Sequence, residues 1–156
     1  MQATMQSYQQ VLAPLPSIGE IDTEAASLLA AARNMAFSEA AQGRLGHGLS
    51  LLQQALEQEP MAHDLLSDMA ALLLSAGELN HAATYAQQAL AIDSCHGASL
   101  YALGFALSGL GESVRASAVL RQLMQGEALA SLMHEAPDLL PVAQTELARL
   151  DALLDE

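Results

Sequence analysis

A repeat with a period of 34 residues is the feature that most constrains how this chain can fold. The repeated segments are residues 29–62, 63–96 and 97–130. In this register three glycines align, namely Gly43, Gly77 and Gly111. Self-similarity at a fixed period of about 20–50 residues is typical of stacked supersecondary units. A glycine after a helical run suits the left-handed conformation that ends a helix, so each segment predicts one helix-turn-helix hairpin.

Small and apolar residues repeat in the same register. Two sets hold only Gly or Ala, namely Ala36, Ala70 and Gly104, and Gly48, Ala82 and Ala116. Two others are apolar, namely Met35, Met69 and Leu103, and Leu56, Leu90 and Met124. The small residues predict a close crossing of the two helices of each hairpin, because bulk there would push the helices apart. The apolar sets recur at helical intervals and predict the seam between the helices.

The predicted secondary structure is helical throughout, since Ala and Leu dominate and β-favouring residues are scarce. Helices are predicted at residues 24–42, 45–58, 61–76, 79–92, 97–110 and 113–125. Asp22 or Thr23 is predicted to cap the first helix, and Pro60 to begin the third. Short connections require antiparallel neighbours. The predicted fold class is therefore all-α, with three tandem hairpins stacked into a right-handed superhelix that has a concave face.

Two flanking regions lie outside the repeats. The predicted organisation is an N-terminal helix and linker at residues 1–21, the repeats at 22–130, and a C-terminal capping helix within 131–156. Within the first region, residues 3–13 predict a short helix and 13–19 a linker. That helix would carry Met5, Tyr8 and Leu12 on one face, which could cap the repeats or pair two copies into a homodimer. The C-terminal helix is predicted from about Pro141 to Leu154.

The charge excludes several kinds of partner. The formal net charge is −13, and the cations are five arginines with no lysine. Phosphate neutralisation needs clustered cations, so neither nucleic acid nor an anionic membrane surface is an expected partner. A basic or apolar protein segment is plausible. The single cysteine, Cys95, fits a reducing compartment, and no signal peptide or membrane span is recognisable, so we expect a cytoplasmic protein.

No catalytic, cofactor or metal motif stands out. No two of the five histidines have the i, i+4 spacing by which a helix can present two imidazoles to a metal ion. His47 and His81 share a repeat position and are interpreted as exposed residues near the turns. Cys95 lies next to His96 but lacks a second thiol or an orienting group. The sequence therefore predicts no enzyme, no cofactor and no metal site.

The repeated residues resemble the tetratricopeptide repeat. The best match is Leu100–Leu123, which has Leu100, Leu103, Gly104, Gly111, Ala116 and Leu120 at the family's positions. The second repeat contributes Gly77, Ala82, Ala89 and Asp93, and the first contributes Gly43, Gly48, Ala55 and Pro60. The resemblance covers about two-thirds of the chain, although the family's usual tryptophan is absent. The whole plan, with its short flanking helices and acidity, also resembles the class II chaperones of bacterial type III secretion.

The resemblance implies a binding surface, because in this family the first helix of each repeat lines the concave groove. The residues implied are Arg33, Asn34, Phe37, Ala40, Ala41, Asp64, Ser67, Asp68, Ala71, Leu74, Ser75, Ala98, Tyr101, Ala102, Phe105 and Ser108. Both phenylalanines fall in this set, which favours pockets for apolar anchors of a peptide. Some family members clamp a C-terminal carboxylate. Here Arg33 and Asn34 could begin such a clamp, but Asp64 and Asp68 would repel it.

Two functions remain open from the sequence. The first is a chaperone that holds an extended segment of a translocator subunit in the groove before its export. The second is an adapter or assembly scaffold that binds folded partners, or itself, through other faces.

Overall fold

The computed structural model describes residues 18–156, and within them the chain forms eight helices joined by short turns. The helices are α1 (Ile18–Ala41), α2 (Leu45–Gln58), α3 (His63–Ser75), α4 (Leu79–Ile92), α5 (Gly97–Gly109), α6 (Ser113–Leu123), α7 (Gly126–Glu135) and α8 (Leu139–Leu154). The fold is therefore all-α, as predicted. Residues 1–17 lie outside the described residues, and with them the predicted helix that carries Met5, Tyr8 and Leu12.

Three hairpins, α1–α2, α3–α4 and α5–α6, stack side by side. Each turn contains one of the aligned glycines, and their φ angles are 85° at Gly43, 79° at Gly77 and 81° at Gly111. In each turn the amide after the glycine donates a 2.9 Å hydrogen bond to a carbonyl of the preceding helix, five residues earlier in the chain. These bonds satisfy carbonyls that the helix end would otherwise leave unpaired. The predicted role of the glycines is confirmed.

The small residues lie where the helices of a hairpin cross. Ala36, Ala70, Ala82 and Ala116 have no exposed surface. At Gly48, a Cβ atom would lie 2.6 Å from the carbonyl oxygen of Ala36 on the neighbouring helix. The crossing of α1 and α2 is therefore too close for any side chain at position 48.

The buried apolar side chains form two clusters. One includes Ala36, Leu52, Leu56 and Leu65 and joins α1 and α2 to α3. The larger cluster extends from α3 to the C-terminal helices and includes fully buried leucines of α6, α7 and α8, namely Leu120, Leu123, Leu132 and Leu150. Leu49 and Tyr85 pack against both clusters and so link them.

Several predicted helix limits are wrong. Helix α1 begins at Ile18, so Asp22 and Thr23 lie inside it rather than at its cap. Pro60 lies in the turn before α3, which begins at His63. The limits of α2 and α4 agree with the prediction. Met35, predicted to lie in the apolar seam, is 56% exposed because the described residues place no helix on the outer side of α1.

The C-terminal region holds two helices where one was predicted. Helix α7 was not predicted, and α8 begins at Leu139, so Pro141 lies in its first turn. Helix α7 packs on α5 so closely that a Cβ atom at Gly97 would lie 2.5 Å from the backbone nitrogen of Leu132. Helix α8 packs mainly on α6. Over residues 18–156, no helix combines the length and the hydrophobicity that a bilayer crossing requires.

Candidate functional site

The leading helices of the three hairpins, α1, α3 and α5, line a common cavity of about 470 Å³, here called the groove. Most of the residues predicted for partner binding lie in it. They are Arg33, Phe37, Ser67, Asp68, Ala71, Leu74, Ser75, Ala98, Tyr101 and Ala102. The structure thus brings together side chains from three repeats, as expected when each leading helix presents the same face.

One wall of the groove comes from outside the repeats. Glu135 at the end of α7, Ala136 in the following turn, and Leu139 at the start of α8 complete the lining. The repeat pattern does not predict these residues, because α7 and the turn after it lie beyond the repeated turns. The C-terminal helices therefore border the groove and leave the cavity beside α1 and α3 open.

The remaining predicted residues lie elsewhere. Asn34 and Ala41 are exposed, and Ala40 packs against the first apolar cluster. Phe105 packs against the larger cluster. The hydroxyl of Ser108 donates a 2.5 Å hydrogen bond to Glu146 of α8 and accepts one from Arg149. None of these residues lines the groove, and neither does Asp64 in the first turn of α3.

The aromatic side chains of the groove differ in exposure. Phe37 is 39% exposed on α1. Tyr101 is half-buried, and its ring lies 4.5 Å from that of Phe105, with 32° between the ring planes. Burial raises the pKa of the Tyr101 hydroxyl. The groove is thus lined by two aromatic side chains, the exposed Phe37 and the half-buried Tyr101, and Phe105 packs against Tyr101 from outside the lining.

A charged end adjoins this apolar lining. Arg33 donates to both carboxylate oxygens of Asp68, with 3.2 Å from Nη2 to Oδ1, and its Nη2 lies 3.6 Å from Oε1 of Glu135. Burial raises the pKa of the Asp68 carboxyl, and the guanidinium of Arg33 opposes that rise. Because Arg33 is held by two acidic residues of this chain, it is not free to clamp a carboxylate. This agrees with the rejection of a carboxylate clamp.

Next to this pair lies a cluster of His63, Asp64, His96 and Glu135, here called the histidine–carboxylate cluster. His96 is 4% exposed. Its Nε2 atom lies 3.1 Å from Oδ1 of Asp64 and 3.0 Å from Oε2 of Glu135. The ring of His63 meets that of His96 edge-on, with 4.7 Å between centroids. Burial lowers the pKa of His96, but the two carboxylates outweigh burial and raise it to about 9.

The same contacts act on the carboxylates. The close contact with His96 lowers the pKa of Asp64 to about 2, although burial opposes the change. His96 also lowers the pKa of Glu135. His96 precedes α5 and His63 begins α3, so stacking of the hairpins brings together two residues that are 33 positions apart. This near-repeat spacing is the sequence signal that could have revealed the cluster.

Comparison with known proteins identifies the fold. No protein-family model matches the sequence, and no curated protein matches it. Among solved structures, the chain is similar to the crystal structure of the Sgt2 TPR domain from Aspergillus fumigatus. The TM-score is 0.67 at 19% sequence identity, over 92% of this chain and 83% of that one. The fold is that of a tetratricopeptide repeat domain.

Proposed function

We propose that the chain binds an extended segment of a client protein in the groove. The observation that carries this proposal is the cavity of about 470 Å³ to which the leading helices of all three hairpins contribute. Cavities of this size, with mostly apolar walls and a few polar groups, are typical binding sites. The similarity in fold to the Sgt2 TPR domain supports a protein-interaction role.

The lining indicates the chemistry of the segment. Phe37, Leu74, Tyr101 and Leu139 offer apolar surface, and hiding a client's apolar side chain from water contributes about 25 cal/mol per Å². At the charged end, Asp68 and Glu135 outnumber the single cation, Arg33. A segment with apolar anchors and a basic residue at one end would therefore fit better than an acidic one.

The finer proposal is that the client is a translocator subunit of a type III secretion system. Its support is the resemblance of the overall plan, with three repeats, short flanking helices and a net charge of −13. In this role the groove would cover an apolar client segment and keep it unfolded until export.

The substitution Phe37→Glu tests the groove. Phe37 is 39% exposed, so a carboxylate there should leave the fold intact while charging the apolar lining. Binding of labelled peptides that together span a translocator subunit can be measured by fluorescence anisotropy. We expect at least one peptide to bind the original chain, and to bind the Phe37→Glu variant at least tenfold more weakly. If the client belongs to another system, peptides selected from a random library for binding to the original chain can be compared in the same way on the two chains.

Val114→Glu is the matched control, because Val114 is 70% exposed on α6, away from the groove, and acquires the same charge. It should bind as the original chain does. Equal binding by both variants and the original chain would contradict the groove as the binding site.

The second candidate is an adapter or scaffold that associates through another face. The observation in its favour is an apolar depression of about 660 Å³ between α1 and α2, lined in part by Leu28, Leu29, Met35 and Leu51. Leu28 is 67% exposed and Met35 is 56% exposed, as at an interface with a second copy of the chain. This candidate predicts a dimer by light scattering that Met35→Glu dissociates and Phe37→Glu does not. A monomer at all concentrations would contradict it.

A further inference from the structure

The histidine–carboxylate cluster has the composition and spacing of a metal site. We propose that His63, Asp64 and His96 bind a divalent transition-metal ion of the zinc type, with Glu135 as a neighbouring carboxylate. This inference is independent of the proposed function, because its test needs no client.

The spacing of the ligand atoms fits such an ion. One ligand atom from each of the three residues lies within 4.8 Å of the others. Oδ1 of Asp64 lies 3.1 Å from Nε2 of His96 and 3.6 Å from Nε2 of His63. A tetrahedral ion with bonds of about 2.0–2.1 Å holds its ligands roughly 3.3 Å apart. Only small side-chain movements would be needed to close around an ion.

His96 presents an unpartnered atom to this space. Its Nε2 is fully buried, and within residues 24–156, whose side chains the structure describes, no acceptor lies in line with it. The oxygens of Asp64 and Glu135 are at hydrogen-bond distance but flank that direction. A metal ion would occupy the in-line position, since imidazole binds metals along the same axis.

The other ring nitrogen of His96 is held as metal-binding imidazoles usually are. Nδ1 lies 2.7 Å from the hydroxyl of Ser99, which is fully buried. With Nδ1–H donating to that oxygen, Nε2 carries the lone pair and the ring orientation is fixed. Ser99 is thus a positioning residue and touches no ion.

The donor set selects the class of ion. Imidazole nitrogens suit Zn²⁺, Co²⁺ and Ni²⁺, whereas Mg²⁺ and Ca²⁺ prefer all-oxygen sites. The surrounding carboxylates of Asp68, Asp93 and Glu135 outnumber Arg33, so a divalent cation would reduce a local excess of negative charge. The side chains of Asp64 and His63 are 42% and 31% exposed, which leaves a route from solvent.

A proton is the competing occupant. If His96 is an imidazolium ion, it is attracted to Asp64 and Glu135 without any metal. The metal-bound and the protonated forms of the cluster differ in their need for His63. A metal ion requires His63 as a ligand, whereas a protonated His96 does not. His63 is therefore the residue to change, and its partial exposure makes unfolding of the variant a lesser concern.

The experiment titrates the full chain, freed of metal by a chelator, with Co²⁺ and follows its visible absorption. We expect one equivalent of Co²⁺ to bind with the intense visible absorption of a tetrahedral site. Zn²⁺ should displace this Co²⁺, and excess Mg²⁺ should not. His63→Gln and, separately, Asp64→Asn should weaken binding at least tenfold. Zn²⁺ should raise the Tm of the original chain and have little effect on either variant.

His47→Gln is the matched control, since His47 also lies 3.0 Å from a carboxylate, that of Glu39, but on the exposed surface. It should bind Co²⁺ as the original chain does. The proposal is overturned if no stoichiometric binding occurs, or if His63→Gln and Asp64→Asn bind as tightly as His47→Gln does. Several weak equivalents that no variant changes would indicate adventitious binding to surface carboxylates and would also overturn it.

Discussion

At the scale of single residues, His96 links three helices of the molecule through one buried side chain. It precedes α5, and its imidazole contacts Asp64 on α3 and Glu135 on α7. Because it is almost fully buried, the surrounding protein screens these charges far less than water would. The protonation state of this ring therefore affects how three helices are held together.

The first prediction concerns the pH dependence of stability. The pKa of His96 is raised from 6.5 to about 9 in the folded chain, so the folded state holds its proton more tightly. The stabilisation that the protonated His96 gives to the folded state is complete below pH 6.5 and is lost as the pH rises through 9. In the presence of a chelator, the free energy of unfolding should fall over this interval by up to about 3 kcal/mol.

Urea denaturation at a series of pH values measures this change. His96→Gln should be less stable at pH 6.5 and should remove most of the slope between pH 6.5 and 9. His47→Gln, which removes an exposed imidazole elsewhere, should keep the slope. A slope that survives in His96→Gln would assign the titration to another group.

At the scale of elements, the crossing of α1 and α2 depends on one glycine and not on its neighbour. A Cβ atom at Gly48 would lie 2.6 Å from the carbonyl oxygen of Ala36, and backbone cannot yield as a flexible side chain can. Gly46, two residues earlier on the same helix, has no atom within 4 Å of its would-be Cβ. Both glycines are helical, but only Gly48 lies where a side chain would collide with the neighbouring helix.

The second prediction uses this pair. Gly48→Ala should lower the free energy of unfolding by about 1–3 kcal/mol, because the helices must separate. Gly46→Ala should raise it by about 0.5–1 kcal/mol, because alanine loses less backbone entropy in a helix. Urea denaturation of both variants measures the difference. Destabilisation by both substitutions would show that the crossing is not the cause.

The hairpins were predictable because each repeats the same turn. Gly43, Gly77 and Gly111 end their helices in the same way, so α2 and α4 could be placed to the residue. Helix α7 follows no such rule. It begins at Gly126, whose φ is 62°, and it crosses the end of the third repeat, so the period of 34 residues conceals it.

The residues of the candidate sites likewise divide into those that the repeat predicts and those that it does not. Groove residues on the leading helices follow from the repeat and its helical periodicity. Glu135 and Leu139 do not, because they come from α7 and α8 outside the repeat. The pairing of His63 with His96 depends on stacking between hairpins, which the i, i+4 spacing of ligands within one helix cannot reveal.

At the scale of the whole molecule, burial is least in α1 and greatest in α3 and α5, the leading helices of the second and third hairpins. Ala36 is the only buried side chain of α1 among its residues from Glu24 onward, whereas most of α5 is buried. In repeat proteins each unit contacts only its neighbours, so stability is close to a sum of local terms. The two apolar clusters should therefore open at different free energies.

The last prediction tests this by amide hydrogen exchange followed by mass spectrometry. Amides of α1 should exchange faster than those of α5.

Leu52→Ala and Leu150→Ala each remove a fully buried leucine, one from each cluster, at a cost of about 2–5 kcal/mol. Leu52→Ala should speed exchange in α1 and α2 and leave α8 nearly unchanged, and Leu150→Ala should speed exchange in α6 and α8 and leave α1 nearly unchanged. Leu49 and Tyr85 pack against both clusters and set the limit of this independence. If either substitution speeds exchange equally in all helices, the chain unfolds as one cooperative unit, and the contacts at Leu49 and Tyr85 outweigh the separation of the clusters.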